Sequence, residues 1–510
     1  MPNSVTIEKL VYGGDGLGRL SDGRAVFVPF VLPDEEISLE ITEEKARFTR
    51  GTALSWHKSS PHRIPARCEY FTVCGGCHYQ HMPYQKQLET KLETVRDQLS
   101  RIAGINPQAL SHITQSSQSW HYRNQIQCHV TPDGELGFMR ADNTGILPIK
   151  HCEIAMPGLN ALLNTINLDP ESGIKRVTFR EDNDGECFVL LEGEDPLPPE
   201  LTVELEVSAG YMDAEQNYHH LAGTDQLHYR ILDKDFTLSP SSFFQINNAV
   251  CEELVKHVIG LTKSITTHKV LELYSGAGLF SAFLAAMVSQ LIAIESTPSA
   301  CYDFANNLDA FDNVSLYEGA VEDILPGLLS LLQPEAPDLV LLDPPRAGLH
   351  IKALDALADL APENIIYVSC DPSTLARDLK RLSNKGYQVQ TIHAFDMFPQ
   401  TYHVETVVLL CRKHVEAERH ISVTIETEDG WRAEKPVKAT YGQIQDWVSK
   451  HYNGMKVSNL YIAQVKQKHG IIERENYNKP KKEGGRVPRV PPDKEKAIEA
   501  ALRNFKMIEN

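Results

Sequence analysis

Several features of secreted and membrane proteins are missing from this sequence. The first residues, Met1-Pro-Asn-Ser-Val-Thr, lack the charged and then apolar pattern of a secretion signal. The longest apolar runs, around Phe280–Val288, fall far short of a bilayer span. Cysteines number only ten among 510 residues, too few and too scattered for a disulfide framework. We therefore expect a cytoplasmic protein with reduced thiols and no membrane partner.

An excess of positive charge is also missing, since the net charge is −18. This balance argues against a surface that binds nucleic acid everywhere. Basic residues are nonetheless concentrated in two segments. Lys45 to Arg67 holds six Lys or Arg and no Asp or Glu, and Trp431 to Val490 holds 13 Lys or Arg against five Asp or Glu. Either segment alone could be an ordinary solvated surface, but the two together favour a local site for a polyanion.

The first two of four segments precede the main α/β pattern. Residues 1–58 alternate apolar and polar side chains around a glycine-rich turn at Gly13–Gly18, which predicts a small β-barrel. Small barrels often bind RNA. Residues 59–250 combine clustered cysteines, a polar helix predicted over Pro83–Ile102 and several strand-like runs. Tyr122-Arg-Asn124 in this segment and the Lys45–Arg67 run that ends in it are candidates for contacts with a nucleic-acid backbone. An edge strand with exposed polar residues is an equally good interpretation of Tyr122–Asn124.

The third and fourth segments differ in rhythm. Residues 251–413 alternate strands and helices like a doubly wound α/β sheet, with seven predicted strands: Lys269–Tyr274, Gln290–Glu295, Val314–Glu318, Asp338–Asp343, Ile365–Cys370, Gln388–Phe395 and Val404–Cys411. Residues 414–510 form a basic, mostly helical extension. It has a strand-like run at Ile421–Glu426 and a basic loop at Asn478–Arg489. Three further stretches have helical patterns: Tyr441–His451, Ser458–His469 and Asp493–Phe505.

Two short motifs follow apolar, β-branched runs in the third segment. They are Leu342-Asp-Pro-Pro-Arg346 and Ser369-Cys-Asp-Pro372. Each motif is therefore expected at the carboxyl end of a parallel strand, the edge at which open α/β sheets bind ligands. Cys370 lies there between a strand and a helix, which makes its thiol a candidate nucleophile.

The first predicted strand of the sheet points to a cofactor. It ends in Glu272-Leu-Tyr-Ser-Gly276-Ala-Gly278, a turn on which the backbone can approach a ligand. A nicotinamide site would need a third glycine, but position 281 is Ser. Glu295 ends the second strand, 19 residues after Gly276, where a carboxylate accepts hydrogen bonds from ribose hydroxyls. Together with Asp-Pro-Pro, these features favour S-adenosylmethionine, a cation that needs no pyrophosphate cradle.

A cluster of cysteines indicates a metal centre. Cys68, Cys74 and Cys77 are spaced C-x5-C-x2-C, and Cys152 is the best candidate for a fourth thiolate. Four thiolates suit either a structural zinc ion or an iron–sulfur cluster, and the spacing alone slightly favours zinc.

Taken together, these motifs resemble the S-adenosylmethionine-dependent RNA uracil-C5 methyltransferases over roughly residues 1–413. The chain is most similar to the branch with an amino-terminal TRAM barrel and a [4Fe–4S] cluster, which methylates a uridine of 23S ribosomal RNA. Besides the barrel and the cysteines, the resemblance is carried by five stretches: Ser239–Asn247, Glu272–Gly278, Leu342–Arg346, Val368–Pro372 and Phe398–Glu405. The resemblance implies an iron–sulfur cluster rather than zinc.

The resemblance also implies roles for individual residues. Cys370 would be the nucleophile, Glu405 the base, and Phe243 an aromatic side chain near the target base. The cofactor contacts would be Gln245, Tyr274, Glu295 and Asp343, and the cluster ligands Cys68, Cys74, Cys77 and Cys152. One departure is Asp371, where the family more often has asparagine.

The expected fold is thus a Rossmann-like methyltransferase domain at 251–413, preceded by a TRAM barrel at 1–58 and an α+β, RNA-binding, iron–sulfur domain at 59–250. The expected partner is RNA, with 23S ribosomal RNA favoured over transfer RNA. No DNA partner is expected, and the protein is expected to be a monomer. Two alternatives are a non-catalytic iron–sulfur RNA-binding factor and a methyltransferase on another polymer or amine. Intact Cys370 and Glu405 argue against the first. The Asp-Pro-Pro-Arg motif argues against the second, because enzymes that methylate exocyclic amines use Asn-Pro-Pro-Tyr.

Overall fold

In this computed structural model the chain divides into two compact units, residues 1–415 and residues 416–510. Each unit has its own hydrophobic core. The structure describes residues 3–166, 168–198, 207–332, 335–413, 439, 441–452, 454–457, 459–469, 490–505 and 507–508.

The amino-terminal segment is a closed five-stranded barrel with strand order β1-β2-β3-β5-β4, as the alternating pattern predicts. Its strands are β1 (Asn3–Leu10), β2 (Gly16–Arg19), β3 (Ala25–Val28), β4 (Glu36–Glu44) and β5 (Phe48–Lys58). The apolar positions of the alternation fill the interior. Gly16 and Gly18 are needed on β2, because a Cβ there would lie 2.4 Å from the side chains of Val31 and Val5 respectively.

The polar helix α1 (Tyr84–Gln98) follows the cysteine loop and continues as a π-helical turn over Leu99–Ala103. A seven-stranded sheet of order β13-β12-β11-β10-β7-β8-β9 comes next, with a separate β14-β15 hairpin. The elements of this part of the chain are β6 (Leu110–Thr114), β7 (Gln125–Val130), β8 (Leu136–Met139), β9 (Ile146–Pro148), α2 (Pro157–Thr165), β10 (Ile174–Glu181), β11 (Cys187–Gly193), β12 (Ser208–Met212), β13 (Tyr218–Ala222), β14 (Leu227–Ile231) and β15 (Lys234–Leu238).

The large α/β sheet has eight strands in the order β18-β17-β16-β19-β20-β22-β21-β6. All seven predicted strands are present, each within one residue of its predicted limits. The elements are α3 (Asn248–Lys263), β16 (Lys269–Leu273), α4 (Ser281–Leu284), β17 (Gln290–Glu295), α5 (Pro298–Asn307), β18 (Val314–Glu318), α6 (Val321–Leu332), β19 (Leu339–Leu342), α7 (Ile351–Leu360), β20 (Asn364–Ser369), α8 (Pro372–Asn384), β21 (Tyr387–Phe395) and β22 (Glu405–Arg412).

Both faces of this sheet are buried, which explains why its strands are almost continuously apolar. Alternate residues of each strand enter different cores. On β20, for example, Ile366 and Val368 pack in the core that includes α3, whereas Ile365 and Tyr367 pack in the core that includes α6, α7 and α8. This rigid layer fixes the positions of the loops at its carboxyl edge.

One strand of the sheet comes from outside the predicted α/β segment. β6 pairs in parallel with β21 at the edge of the sheet, with Leu110 opposite Ile392. Sequence reasoning did not find this pairing, because β6 is five residues long and its partner is more than 270 residues away. The chain that follows the cysteine loop and α1 is thereby connected directly to the eight-stranded sheet.

The second unit contains three described helices, α9 (Tyr441–His451), α10 (Asn459–Lys468) and α11 (Pro492–Asn504). They share a small core that includes Ile444, Val448, Ile462, Val465, Ile498 and Leu502. The strand-like run Ile421–Glu426 and the basic loop Asn478–Arg489 lie outside the described residues. None of the helices in the described parts of the chain combines the length and apolar character needed to span a bilayer.

Candidate active site

Three of the predicted site residues meet at one edge of the eight-stranded sheet. β20 and β22 are antiparallel, with Ser369 opposite Thr406, so the adjoining residues Cys370 and Glu405 are level with each other. β19 lies on the other side of β20, and Asp343 directly follows β19. The strand order therefore brings Cys370, Glu405 and Asp343 together. The strand-end positions of the two motifs predicted this for Cys370 and Asp343.

The Cys370 thiol is partly exposed in the turn between β20 and α8. Burial raises the pKa of this thiol to about 12, with further contributions from the charges of Glu405 and Asp343, while Arg346 acts in the opposite direction. A thiol in this environment is mostly protonated at neutral pH. Since only the thiolate is a strong nucleophile, binding of the reactants must change the electrostatic balance.

Glu405 is 5% exposed, and its Oε2 atom has no hydrogen-bond partner in the described part of the chain. Burial and then the charge of Asp343 raise its pKa well above the usual carboxyl range, opposed by Arg346. A buried polar atom without a partner is costly, and such costs are concentrated at functional sites. The side chain suits a proton acceptor whose partner arrives with a substrate.

The predicted cofactor loop, residues 274–278, directly follows β16, which pairs with β19. Tyr274, Gly276 and Gly278 all have positive φ angles, of 62°, 54° and 88°, a costly conformation for tyrosine. Gly278 must be glycine, because a Cβ would lie 2.5 Å from the Leu308 side chain. At Gly276 a Cβ would meet nothing within 4 Å, so that face of the loop is open to a ligand.

Glu295, predicted from its spacing to bind ribose hydroxyls, is hydrogen-bonded to main-chain amides of this region in the structure. Its Oε2 accepts a 2.9 Å hydrogen bond from the Gly276 amide, and its Oε1 accepts bonds from the amides of Ser296 and Thr297. β16 pairs with β19 so that Leu273 is opposite Leu342. Tyr274 and Asp343, the next residues, are therefore neighbours, and the cofactor loop adjoins the edge that carries Cys370.

Sequence reasoning treated Ser281 only as a missing third glycine. In the structure its hydroxyl donates a hydrogen bond to the buried carboxyl of Glu272. Burial raises the pKa of Glu272 to about 8, although the Ser281 bond lowers it, and the charges of Asp343 and Glu295 raise it further. Glu272 is thus a carboxyl group beneath the loop that no spacing rule indicated.

Gln245 lies on a separate loop, between β15 and α3. It is 6% exposed, and its main-chain oxygen accepts a 3.0 Å bond from the amide side chain of Asn124. Two residues earlier, the Phe243 side chain is 73% exposed. The loop is held by the buried Arg180, whose Nη1 donates to the main-chain oxygens of Pro240 and Ser242 at 3.1 and 2.7 Å. Sequence reasoning missed Arg180, because it belongs to no motif.

The four predicted ligand cysteines, Cys68, Cys74, Cys77 and Cys152, line one open cavity of about 1320 Å³. Burial raises the pKa of every one of these thiols, to about 11 for Cys74, and the charge of Cys152 contributes at each of the other three. The segments that the sequence separates are thus brought together. Among the described residues, no three His, Cys, Asp or Glu side chains are arranged to hold one metal ion.

Two predicted RNA contacts are wrong. Tyr122 and Asn124 are buried, and they bond within the protein: the Tyr122 hydroxyl donates to the Pro399 oxygen, and the Asn124 amide donates to Gln245 and Asn248. They hold loops of the site together instead.

The basic run Lys45–Arg67 is also less free than its composition suggests. Several of its cations are paired with carboxylates from elsewhere in the chain or just beside the run: Lys45 with Glu43, Arg50 with Asp15, Arg63 with Glu35 and Arg67 with Glu153.

Comparison with known proteins agrees with this geometry. The family model for tRNA (uracil-5-)-methyltransferases matches residues 222–413, and the TRAM domain model matches residues 4–54. An uncharacterised RNA methyltransferase of Thermotoga maritima is 32% identical over 444 residues, which cover 81% of this chain and 99% of the relative. A relative of the same description from Aquifex aeolicus is 31% identical over 429 residues, covering 80% of this chain and 98% of the relative.

A solved structure also aligns along most of the chain. The Pyrococcus abyssi tRNA (uracil-54, C5)-methyltransferase, in complex with S-adenosyl-L-homocysteine, has 28% identity and a TM-score of 0.63, covering 79% of this chain and 99% of that one. Fold, motifs and relatives thus agree, and the chain belongs to the S-adenosylmethionine-dependent RNA (uracil-5-)-methyltransferase family, with a TRAM domain at its amino-terminal end.

Proposed function

We propose that this protein forms 5-methyluridine in RNA, with Cys370 as the nucleophile and Glu405 as the base. The observation that carries the proposal is the register of β20 and β22, which sets Cys370 level with Glu405. The cofactor loop adjoins the same edge through the pairing of β16 with β19. The site therefore has a thiol, a carboxyl group and a cofactor loop within reach of one pyrimidine ring.

The chemistry needs both side chains. Uracil C5 is a poor nucleophile, but addition of the Cys370 thiolate to C6 moves electron density onto C5. C5 then takes the methyl group that S-adenosylmethionine supplies when it is bound. Glu405 removes the proton that C5 still carries, and the electrons of that bond re-form the C5–C6 double bond as the Cys370 thiolate leaves. Methylated RNA and S-adenosylhomocysteine are released, and the proton on Glu405 returns to solvent.

The electrostatics of the site support a cationic methyl donor. Asp343, Glu405 and Asp371 surround the Cys370 thiol, and Arg346 is the cation whose charge favours the thiolate. A sulfonium ion placed among these carboxyl groups would be stabilised by them, and it would in turn favour the thiolate. We propose Gln245, Tyr274, Glu295 and Asp343 as the cofactor contacts, with Glu295 at the ribose hydroxyls.

The target uridine must leave its stack to reach Cys370, since C6 is inaccessible within a helix. The exposed Phe243 side chain offers a surface on which a neighbouring or target base can stack. Phe243 lies on the same loop as Gln245, which connects base binding to the cofactor side of the site.

We propose 23S ribosomal RNA as the substrate, on the resemblance to the branch with a TRAM barrel and four cysteines. Transfer RNA is the second candidate, favoured by the similarity to the Pyrococcus abyssi enzyme that acts on uracil-54 of transfer RNA. Mass-spectrometric mapping of 5-methyluridine in both RNAs, with and without the gene, distinguishes them. Loss at one ribosomal site supports the first proposal, and loss only in the T-loop supports the second. Unchanged 5-methyluridine in both RNAs would contradict the proposed function.

We also propose that Cys68, Cys74, Cys77 and Cys152 hold a [4Fe–4S] cluster. The support is that all four thiols line one cavity and that the charge of Cys152 acts on each of the other three. The choice of a cluster over a zinc ion rests on the resemblance to the branch with four cysteines. When bound, it would join the 68–77 loop to residue 152. No step of methyl transfer is assigned to it.

A further inference from the structure

A side chain of the barrel reaches the turn that carries the nucleophile. The hydroxyl of Tyr12, in the glycine-rich turn between β1 and β2, donates a 2.8 Å hydrogen bond to Oδ2 of Asp371. Asp371 is the residue directly after Cys370. We propose that Tyr12 is a positioning residue for the reaction: it holds the Asp371 carboxylate in its helix-capping position and offsets its charge next to the Cys370 thiol. The inference rests on the proposed role of Cys370.

Both oxygens of Asp371 are used in this arrangement. Oδ1 accepts 2.9 Å bonds from the amides of Ser373 and Thr374, which caps the amino-terminal end of α8. Oδ2 accepts from Tyr12. A carboxylate can serve three donors in this way, whereas asparagine has a single acceptor oxygen. Tyr12 and Asp371 are therefore a matched pair in this chain.

Tyr12 is itself fixed by its surroundings. Its ring packs edge-to-face on Tyr402, with centroids 5.5 Å apart and an interplanar angle of 87°. Tyr402 belongs to the stretch that ends at Glu405, and its ring also contacts His78 and His403. The hydroxyl is thus held at one end of an aromatic cluster that spans the barrel, the cysteine loop and the catalytic sheet.

The charges around Cys370 and Tyr12 indicate how loss of the Tyr12–Asp371 hydrogen bond should affect the Cys370 thiol. Cys370 is influenced by Glu405 on β22, by Asp343 and Arg346 after β19, and by Asp371, whose effect is the smallest of these four. Tyr12 is influenced by Asp371, Tyr402 and Arg346. Without the Tyr12 bond, one oxygen of Asp371 loses its stabilising donor beside the thiol. The negative charge should then oppose thiolate formation more strongly.

The test is the pH dependence of alkylation of Cys370 by iodoacetamide in the full-length protein, measured on the Cys370 peptide by mass spectrometry. Tyr12→Phe should slow alkylation at pH 8 about threefold, the effect of half a pKa unit. Asp371→Asn should speed it. In the Asp371→Asn background, Tyr12→Phe should change nothing. Tyr302→Phe, at an exposed tyrosine of α5, is the matched control and should match the wild type.

Two outcomes would overturn the inference: no change with Tyr12→Phe alone, or a change of equal size in the Asp371→Asn background. If Tyr12→Phe fails to fold, Asp371→Ser serves instead, because it keeps a capping oxygen and removes the carboxylate. It should speed alkylation as Asp371→Asn does, and unchanged alkylation would count against the inference. Alkylation requires neither RNA nor methyl transfer. Failure of the proposed function would show separately, as a Cys370→Ala protein that still methylates RNA.

Discussion

Glu405 is level with Cys370 across the antiparallel pair of β20 and β22, and it is the charged group with the largest effect on the Cys370 thiol. A negative Glu405 disfavours the thiolate, and a thiolate disfavours a negative Glu405, so ionising both at once is costly. Once the thiolate has formed a bond to uracil C6, this repulsion ends. The pair therefore suits an ordered reaction in which Cys370 acts first and Glu405 acts as a base afterwards.

This order gives the two residues different mutant phenotypes. Cys370→Ala should form neither an RNA adduct nor 5-methyluridine, because C5 is never activated. In Glu405→Gln the Cys370 thiolate should still add to uracil C6, and C5 should still be methylated, but the C5 proton should not be removed. A methylated protein–RNA conjugate should therefore accumulate, while turnover falls at least about 100-fold. Denaturing electrophoresis with labelled RNA measures the conjugate.

Glu253→Gln on α3 is the control for the glutamate substitution, since Glu253 forms an exposed pair with Lys256. It should turn over like the wild type and accumulate no conjugate. Normal turnover in Glu405→Gln, or a conjugate in Cys370→Ala, would contradict the assigned roles.

The second prediction concerns pH and Asp343, whose pKa burial raises to about 7. The Asp343 carboxyl therefore gains negative charge as the pH rises from 6 to 8. An ionised Asp343 should attract the sulfonium of S-adenosylmethionine but not the uncharged sulfur of S-adenosylhomocysteine. The affinity for S-adenosylmethionine divided by the affinity for S-adenosylhomocysteine should therefore rise between pH 6 and pH 8. Calorimetry measures both affinities.

Both ligands carry the same amino-acid group, so its own titration cancels in the ratio. Asp343→Asn should give a ratio that does not change with pH, provided the variant stays folded. A wild-type ratio that is constant from pH 6 to pH 8, or one that falls, would place Asp343 away from the sulfonium.

The third prediction concerns a buried ion pair between Lys91 of α1 and Asp396, both fully buried. Lys91 also donates a 3.0 Å bond to the Phe398 oxygen, so it anchors the stretch that leads to Glu405. Lys91→Met should destabilise the protein by about 3–5 kcal/mol, because Asp396 is left as an unpaired buried charge. Denaturant unfolding measures the change. Lys86→Met, on the same helix but in a surface pair with Glu89, should cost less than about 1 kcal/mol, and equal losses in the two variants would refute the argument.

The sequence was most informative where the signal is local. The apolar runs of the sheet located its strands to within one residue, and the motifs that follow them placed Cys370, Asp343 and Glu295 at its carboxyl edge. Those motifs sit at strand ends, and the parallel topology brings such ends together. The same logic could not have found Lys91, Arg180 or Tyr12, because each acts on a partner between 59 and 359 residues away.

Charge and polarity were the weaker guides. The Lys45–Arg67 run looked like an RNA-binding surface, but its pairing with carboxylates became visible only in the fold. Tyr122 and Asn124 looked like exposed polar residues and are internal connectors. A composition count includes every charge, whereas binding depends on the charges that remain unpaired after folding.

The fourth prediction concerns the metal centre. Protein purified without oxygen should contain about four iron atoms per chain if Cys68, Cys74, Cys77 and Cys152 hold a [4Fe–4S] cluster. Cys77→Ser should lose iron and lower the melting temperature, since ligands at 77 and 152 join distant parts of the chain. Cys128→Ser is the control, because Cys128 is a buried cysteine outside this set of four. This variant should keep the iron content of the wild type. Stoichiometric zinc in the wild type, or full iron content in Cys77→Ser, would contradict the ligand assignment.

The last prediction concerns Arg180, which is 1% exposed and donates to main-chain oxygens of the loop that carries Phe243 and Gln245. Arg180→Met should leave buried carbonyl oxygens without donors and destabilise the protein by about 2–4 kcal/mol. It should also raise the KM for RNA and for S-adenosylmethionine more than it lowers kcat, because the loop is loosened while Cys370 and Glu405 stay in place. Arg180→Lys should recover little of the stability or of the affinity for the two substrates, since one ammonium group cannot reproduce the guanidinium fork.

Arg176→Met is the control on the same strand, where Arg176 forms a surface pair with Glu192. It should change neither stability nor KM by much, because exposed pairs contribute about 0–1 kcal/mol. Unfolding curves and steady-state kinetics on the three variants separate the outcomes. If Arg180→Met loses stability but keeps both KM values, the arginine only supports the fold. If it lowers kcat alone, the loop does not position the ligands, and Phe243 and Gln245 would have to be removed from the binding site.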